Sequence, residues 1–202
     1  MIRGSQMTAE IPPSSDERDL LLRHRDGDAD AFGALVQAYR QPVYSYLIRC
    51  GVAESDRDDL FQDIFIRVHR AAASYEADRP LHPWLFTIVA NAVRNWHRRN
   101  KVRAMVFASN PEAEPSSEVA DGERDAIARQ TAARLERAIG ALPLPQREVL
   151  VLACIENLPQ KEIASALGMP VNTVKTHLRR ARLALMSELD RFRPLSNGEV
   201  PS

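Results

Sequence analysis

The run QKEIASALGMPVNTVKTHLR over residues 160–179 places Asn172, Thr173, Lys175, Thr176, His177 and Arg179 close together, with Arg180 and Arg182 following. These side chains suit nucleic-acid contact rather than covalent chemistry. Amides and hydroxyls hydrogen-bond to base edges, while arginine and lysine reach phosphate oxygens or guanine edges. A neutral histidine at 177 offers one donor and one acceptor. Such a row needs a helix presented to a groove, and the same run predicts one. Ala164 sits where two short helices cross, with room only for a small side chain. Gly168 sits in the turn, where positive φ is needed. Ile163, Leu167, Met169 and Val174 fall at core-facing positions, with His177 at a further one and Leu178 beside it. The second helix starts near Val171, with Asn172 as a helix-cap residue, in the arrangement that lays a recognition helix in the major groove.

A second cationic group lies upstream. Residues 79–103 carry Arg79, Arg94, Arg98, Arg99, Lys101 and Arg103 and no acid, with Asn91 mid-helix to read a base edge or an unstacked base. Cations at a helix C-terminus suit the helix dipole and equally suit phosphate. A third group, DDLFQDIFIRVHR over 58–70, has a different character. Leu60, Phe61, Ile64, Phe65 and Val68 share one face, leaving Asp58, Asp59, Gln62, Asp63, Ile66 and Arg67 on or near the other. Acids, an amide and an exposed apolar residue suit a protein partner better than DNA.

The composition agrees with a helical binder. Hydrophobic residues make up 45% of the 202, aromatics only 6%, and glycine is scarce at 8. Lysine plus arginine and aspartate plus glutamate balance at 27 each, but the charges are segregated. Residues 112–125 hold Glu112, Glu114, Glu118, Asp121, Glu123 and Asp125 against Arg124 alone, so local fields outweigh the sum. Cys50 and Cys154 belong to no zinc-type spacing and are expected to pack as small apolar residues in a reducing compartment. His24, His69, His82, His97 and His177 are scattered. With no Walker loop, metal cluster or nucleophile–base arrangement, no enzyme activity, metal or cofactor is expected. No apolar run nears the ~20 residues that span a bilayer, and no secretory signal is visible, which predicts a cytoplasmic protein without membrane insertion. MIRGSQ resembles an added leader, with Met7 as the natural start.

The pattern along the chain predicts an all-α fold of two small domains. Residues 1–16 are a polar, disordered segment; 17–103 form one helical domain; 104–124 are an acidic flexible linker; 125–193 form a helix-turn-helix domain; and 194–202 are a tail. Leu20, Leu21 and Leu22 begin the first helix. Asp28 or Asp30 caps the next, in which Pro42 predicts a kink or break before Gly51 ends it. Ser55 or Asp56 opens the helix bearing Leu60. Residues 75–83 form a loop, and Trp84 begins the long helix that ends in HRRNKVR, with Trp84 and Trp96 expected in the core. Pro145 and Pro159 fall in first turns, and the last helix runs from about Val171 to Phe192.

Taken together, DDLFQDIFIRVHR, PWLFTIVANAVRNWHRRNK over 83–101 and LPLPQREVLVLACIENLPQKEIASALGMPVNTVKTHLRRAR over 142–182 resemble, in order, three segments of bacterial sigma factors: the polymerase-binding helix, the minus-ten helix and the minus-thirty-five domain. The two-domain economy is similar to that of the extracytoplasmic-function type. The resemblance covers about residues 17–192. It implies core RNA polymerase and promoter DNA as partners, with an anti-sigma protein holding the factor inactive. It assigns Asp58, Asp59, Gln62, Asp63, Ile66 and Arg67 to polymerase, and Asn91, Arg94, Arg98, Arg99 and Lys101 to the minus-ten element, after a loop that holds a flipped base. Asn172, Thr173, Lys175, Thr176, His177, Arg179 and Arg180 fall to the minus-thirty-five element. The family commonly has Arg where this chain has His177.

Two other classes compete. A stand-alone helix-turn-helix regulator is an alternative, but the N-terminal half lacks the hydrophobic strands of a receiver domain. A metal-dependent nuclease would need Asp59 and Asp63 as its carboxylates, far in sequence from the basic helix.

Overall fold

The computed structural model describes residues 15–107 and 123–190, with side chains over 17–102 and 132–188. Most of the expected N-terminal segment, the middle of the linker and the tail lie outside the described residues. Among those described, every element is helical: α1 Ser15–Arg25, α2 Ala29–Arg49, α3 Glu54–Ala71, a 3-10 turn Ala72–Ser74, α4 Leu81–Phe107, α5 Glu123–Ala141, α6 Leu144–Cys154, α7 Gln160–Leu167 and α8 Val171–Asp190.

Local chemistry sets most boundaries. Asp28 caps α2, its Oδ1 accepting from the Asp30 and Ala31 backbone N–H groups at 3.0 and 3.2 Å. The helix ends at Gly51, with φ +76, as Gly51 N–H donates to the Ile48 carbonyl and Val52 N–H to that of Leu47. Between these ends α2 is one helix through Pro42, so the chain does not break into two helices there. Pro42 removes one backbone donor, but Leu35, Tyr39, Val43, Tyr46 and Leu47 on the same helix are all buried, and packing holds the helix across the gap.

Three further expectations are corrected. The helix α3 opens at Glu54 behind Ala53 without a side-chain cap, because Asp56 is used elsewhere: its Oδ2 accepts from Trp96 Nε1 at 2.8 Å and ties α3 to α4. The α4 helix starts at Leu81, not Trp84, since Pro83 is tolerated in a first turn and burial of Leu81 anchors that turn. The same helix continues to Phe107 and α5 begins at Glu123, so helix enters both ends of the expected 104–124 linker.

The first domain packs α1 on α2, α2 on α3 and α3 on α4; the second packs α5, α6 and α7 around α8. The two domains also meet: α7 lies against α4, and α2 touches α5 and α6. Their buried residues form one continuous cluster, from Leu21 through Phe86 and Val93 to Ile163 and Ala181.

Candidate nucleic-acid and protein interfaces

The turn between α7 and α8 follows the sequence reading. Gly168 has φ +59, its N–H donates to the Ser165 carbonyl, and Met169 N–H donates to that of Ala164. Ala164, Ile163, Leu167, Val174 and Leu178 are buried, and Met169 is partly so. Burial of Val174, Leu178 and Ala181 fixes the opposite face of α8 outward. That face exposes Asn172, Lys175, Thr176, Arg179, Arg180 and Arg182, with Thr173 half-buried. Asn172 is not the cap: α8 starts at Val171, and the Pro170 carbonyl accepts from the Thr173 and Val174 N–H groups. Thr176 Oγ1 donates to the Asn172 carbonyl at 2.9 Å, which leaves its lone pairs outward. His177 is half-buried, with Nδ1 enclosed and unpartnered, so Nε2 is its remaining polar atom.

On α4, Asn91, Arg98, Arg99 and Lys101 are exposed, and Arg98 Nη2 donates to Asn95 Oδ1 at 3.2 Å. Arg94 departs from this group. Its Nε lies 3.2 Å from both carboxylate oxygens of Glu148 on α6, and its Nη1 donates to the Leu167 carbonyl at the end of α7. Burial pushes the Glu148 carboxyl pKa up, against the lowering pull of Arg94. Neither tryptophan is a free stacking platform: Trp84 packs on Tyr75 with ring centroids 4.9 Å apart, and Trp96 is held by Asp56.

The α3 helix divides as its pattern predicts. Leu60, Phe61, Ile64, Phe65 and Val68 are buried. Asp58, Asp59, Gln62 and Ile66 are exposed, while Asp63 and Arg67 are half-exposed and paired at 2.8 Å. Asp58 accepts from the Tyr44 hydroxyl. Ile66, 49% exposed, stands at the edge of a groove completed by Phe32, Val36, Phe61, Phe65 and His69. Phe32 and Val36 are not among the site residues that the sequence singles out; they lie four residues apart on α2 and are partly buried. Beside the groove, the Arg40 guanidinium sits over the rings of Tyr44 and Phe61, 5.5 and 6.0 Å from their centroids.

Two minor expectations change. Cys50 is buried, but Cys154 is exposed, with Arg182 Nη2 3.9 Å from its sulfur. The histidines are not all isolated, because His24 and His69 share a 2.9 Å contact and His82 lies 3.5 Å from Glu156.

Comparison with known proteins now bears on these surfaces. Residues 35–103 match the Sigma-70 region 2 family and residues 132–185 the Sigma-70, region 4 family. RNA polymerase sigma factor NccH of Alcaligenes xylosoxydans xylosoxydans is 35% identical over 88% of this chain and 96% of that protein. ECF RNA polymerase sigma factor SigW of Bacillus subtilis is 31% identical over 82% of this chain and 92% of its own. The chain belongs to the extracytoplasmic-function sigma factors. Such a factor binds core RNA polymerase and directs it to promoters through minus-thirty-five and minus-ten elements. The solved structure of CnrH in complex with the cytosolic domain of CnrY is similar to this sigma factor, with 28% identity and a TM-score of 0.63 over 88% of this chain and 99% of that one. The region 2 match contains α3 and most of α4, and the region 4 match contains the helix-turn-helix. Among the described residues, no helix is long and apolar enough to cross a membrane.

Proposed function

We propose that this sigma factor divides its work among three surfaces. The α3 face, with Asp58, Asp59, Gln62, Asp63, Ile66 and Arg67, grips core polymerase, and the neighbouring groove supplies apolar contact. The α4 row of Asn91, Arg98, Arg99 and Lys101, joined by Arg94 when that residue is released, engages the minus-ten element. The α8 face, with Asn172, Thr173, Lys175, Thr176, His177, Arg179 and Arg180, engages the minus-thirty-five element. Residues 17–103 and 125–193 are the two working domains, and 104–124 connect them. The protein acts in the cytoplasm, makes and breaks no covalent bond, and is held by an anti-sigma protein, as CnrH is seen with CnrY.

The observation that carries this reading is on α8. Burial of Val174, Leu178 and Ala181 turns Lys175, Arg179 and Arg180 outward together, directly after a glycine turn that sets the helix angle. Transcription of a genomic fragment library by core polymerase tests it. Discrete transcripts that require both components support the reading. No transcripts, together with sequence-specific binding by the protein alone, would replace it with a stand-alone regulator.

A further inference from the structure

The joint between the domains has a consistent polarity. Among the described residues, two ion pairs cross it with the cation from the first domain and the carboxylate from the second: Arg94 meets Glu148 at 3.2 Å and Arg49 meets Glu136 at 2.8 Å. His82 of the first domain lies 3.5 Å from Glu156 of the second, in the same sense. Glu148 and Glu156 are 1% and 5% exposed. Arg147 runs the other way, packing its guanidinium over Gly51, where a Cβ would lie 2.8 Å from Nη1. The second domain thus presents carboxylates to the first where an anionic backbone would otherwise attract the same cations.

We infer that the free sigma factor is self-closed: the region-four domain docks on α4 through α7, its Glu148 and Leu167 occupy Arg94, and the joint must open before the minus-ten helix engages DNA. The inference rests on the reading of Arg94 as a minus-ten contact. Its physical basis is competition. A guanidinium whose Nε is taken by a carboxylate and whose Nη1 is taken by a helix-end carbonyl is held at the joint, with fewer donors left for phosphate. Charged pairs suit a joint that must separate, since removal of ions from water offsets much of their attraction and water receives them again on opening. The closed form also leaves two surfaces accessible. Ile66 and Gln62 on α3, and Lys175, Arg179 and Arg180 on α8, remain exposed. Polymerase can therefore be bound first, with the minus-ten helix released afterwards.

Small-angle scattering of the full chain, together with transcription by core polymerase, tests this. Glu136→Arg sets two cations against each other at the outer edge of the joint, away from both cores, and Glu148→Lys does so at its centre. Both should enlarge the radius of gyration by a few ångströms and lower the sigma concentration for half-maximal transcription by about threefold. The double variant Arg49→Glu/Glu136→Arg restores the pair with no net charge change from wild type and should return the compact shape. Should Glu148→Lys fail to fold by circular dichroism, Glu136→Arg and its double variant decide alone. An already extended wild type, or single variants as compact as wild type, would overturn the closed state. Absence of wild-type transcription with core polymerase would instead remove the functional reading, whatever the shapes.

Discussion

Arg94 on α4 and Glu148 on α6 lie 54 residues apart in sequence and meet with both carboxylate oxygens 3.2 Å from a single guanidinium nitrogen, Nε. The same arginine closes the C-terminal end of α7 through the Leu167 carbonyl, so one side chain joins the minus-ten helix to the helix-turn-helix. A lysine has the charge but not the fork that reaches both acceptors. Arg94→Lys is expected to expand the free protein in scattering and, like the other joint-opening variants, to lower the sigma concentration for half-maximal transcription, because a phosphate contact needs only the charge. Arg94→Ala is expected to expand it and lower transcription as well. A compact Arg94→Lys protein would show that the fork is not what holds the joint.

The polymerase face yields a different test. Ile66 is exposed at the edge of a groove rich in aromatic side chains, where one buried apolar anchor at an interface carries much of the binding energy. Ile66→Ala should weaken affinity for core polymerase by roughly tenfold. It should move Tm by no more than about 2 °C, since the side chain is solvated in the free protein. Asp63→Arg should also weaken binding, with the added like-charge contact to Arg67 one turn away. Equilibrium binding to fluorescent core polymerase checks both. Wild-type affinity in the two variants would move the contact elsewhere.

On α8 the side chains separate into readers and positioners by their salt dependence. Arg179 is exposed on the outward face. If it contacts phosphate, Arg179→Ala lowers the slope of log affinity against log salt by about 1 and weakens all promoters alike. His177→Arg restores the residue common in the family and should change base preference at the minus-thirty-five element more than it changes the salt slope. Promoter-fragment titrations over a salt series, with a randomised upstream element, measure both effects.

What the sequence disclosed and what it hid divide along physical lines. The core stripe of α3 and the turn at Gly168 were legible because each is set by residues within a few positions of one another. Pro42 left a break between two helices open, because the sequence registers the lost donor but not the burial of Tyr39, Val43 and Tyr46 that keeps one helix across it. Asp56 read as a helix opener, yet its carboxylate is committed to a tryptophan 40 residues away. Arg94 looked like its neighbours Arg98 and Arg99, and only the docking of the second domain sets it apart. A helical pattern gives the face of each residue; it does not give what covers that face.

Gly51 combines a left-handed backbone with a close approach from the other domain. Gly51→Ala must adopt φ +76 with a Cβ and also displace Arg147, whose Nη2 donates to the Gly140 and Leu142 carbonyls. The backbone effect alone costs about 1 kcal/mol. Chemical denaturation should show at least that loss. A variant as stable as wild type would mean that the α2 end and the joint both rearrange freely.

His97 makes the stability of the fold depend on pH. Its Nε2 donates to the Cys50 carbonyl at 2.8 Å, and Arg147 of α6 lies close enough to repel a positive ring. Trp96 packs edge-on against it, with ring centroids 4.8 Å apart. Burial first, and Arg147 second, lower its pKa from the ordinary 6.5 against the raising effect of the Cys50 carbonyl. Around and below pH 6.5 the unfolded chain binds the proton more readily than the folded one, so stability is lost as pH falls through this range. Glu148 acts oppositely, because its pKa is raised in the fold and its protonation on acidification relieves a buried charge. Glu148 titrates in wild type and variant alike, so a comparison at His97 cancels it. His97→Gln keeps an N–H donor for the Cys50 carbonyl but cannot take up a proton. Between about pH 7.5 and 5.5, wild type should lose more Tm than His97→Gln, and the gap should close again at the alkaline end. Parallel Tm curves for the two proteins would show that the imidazole is as easily protonated in the fold as outside it.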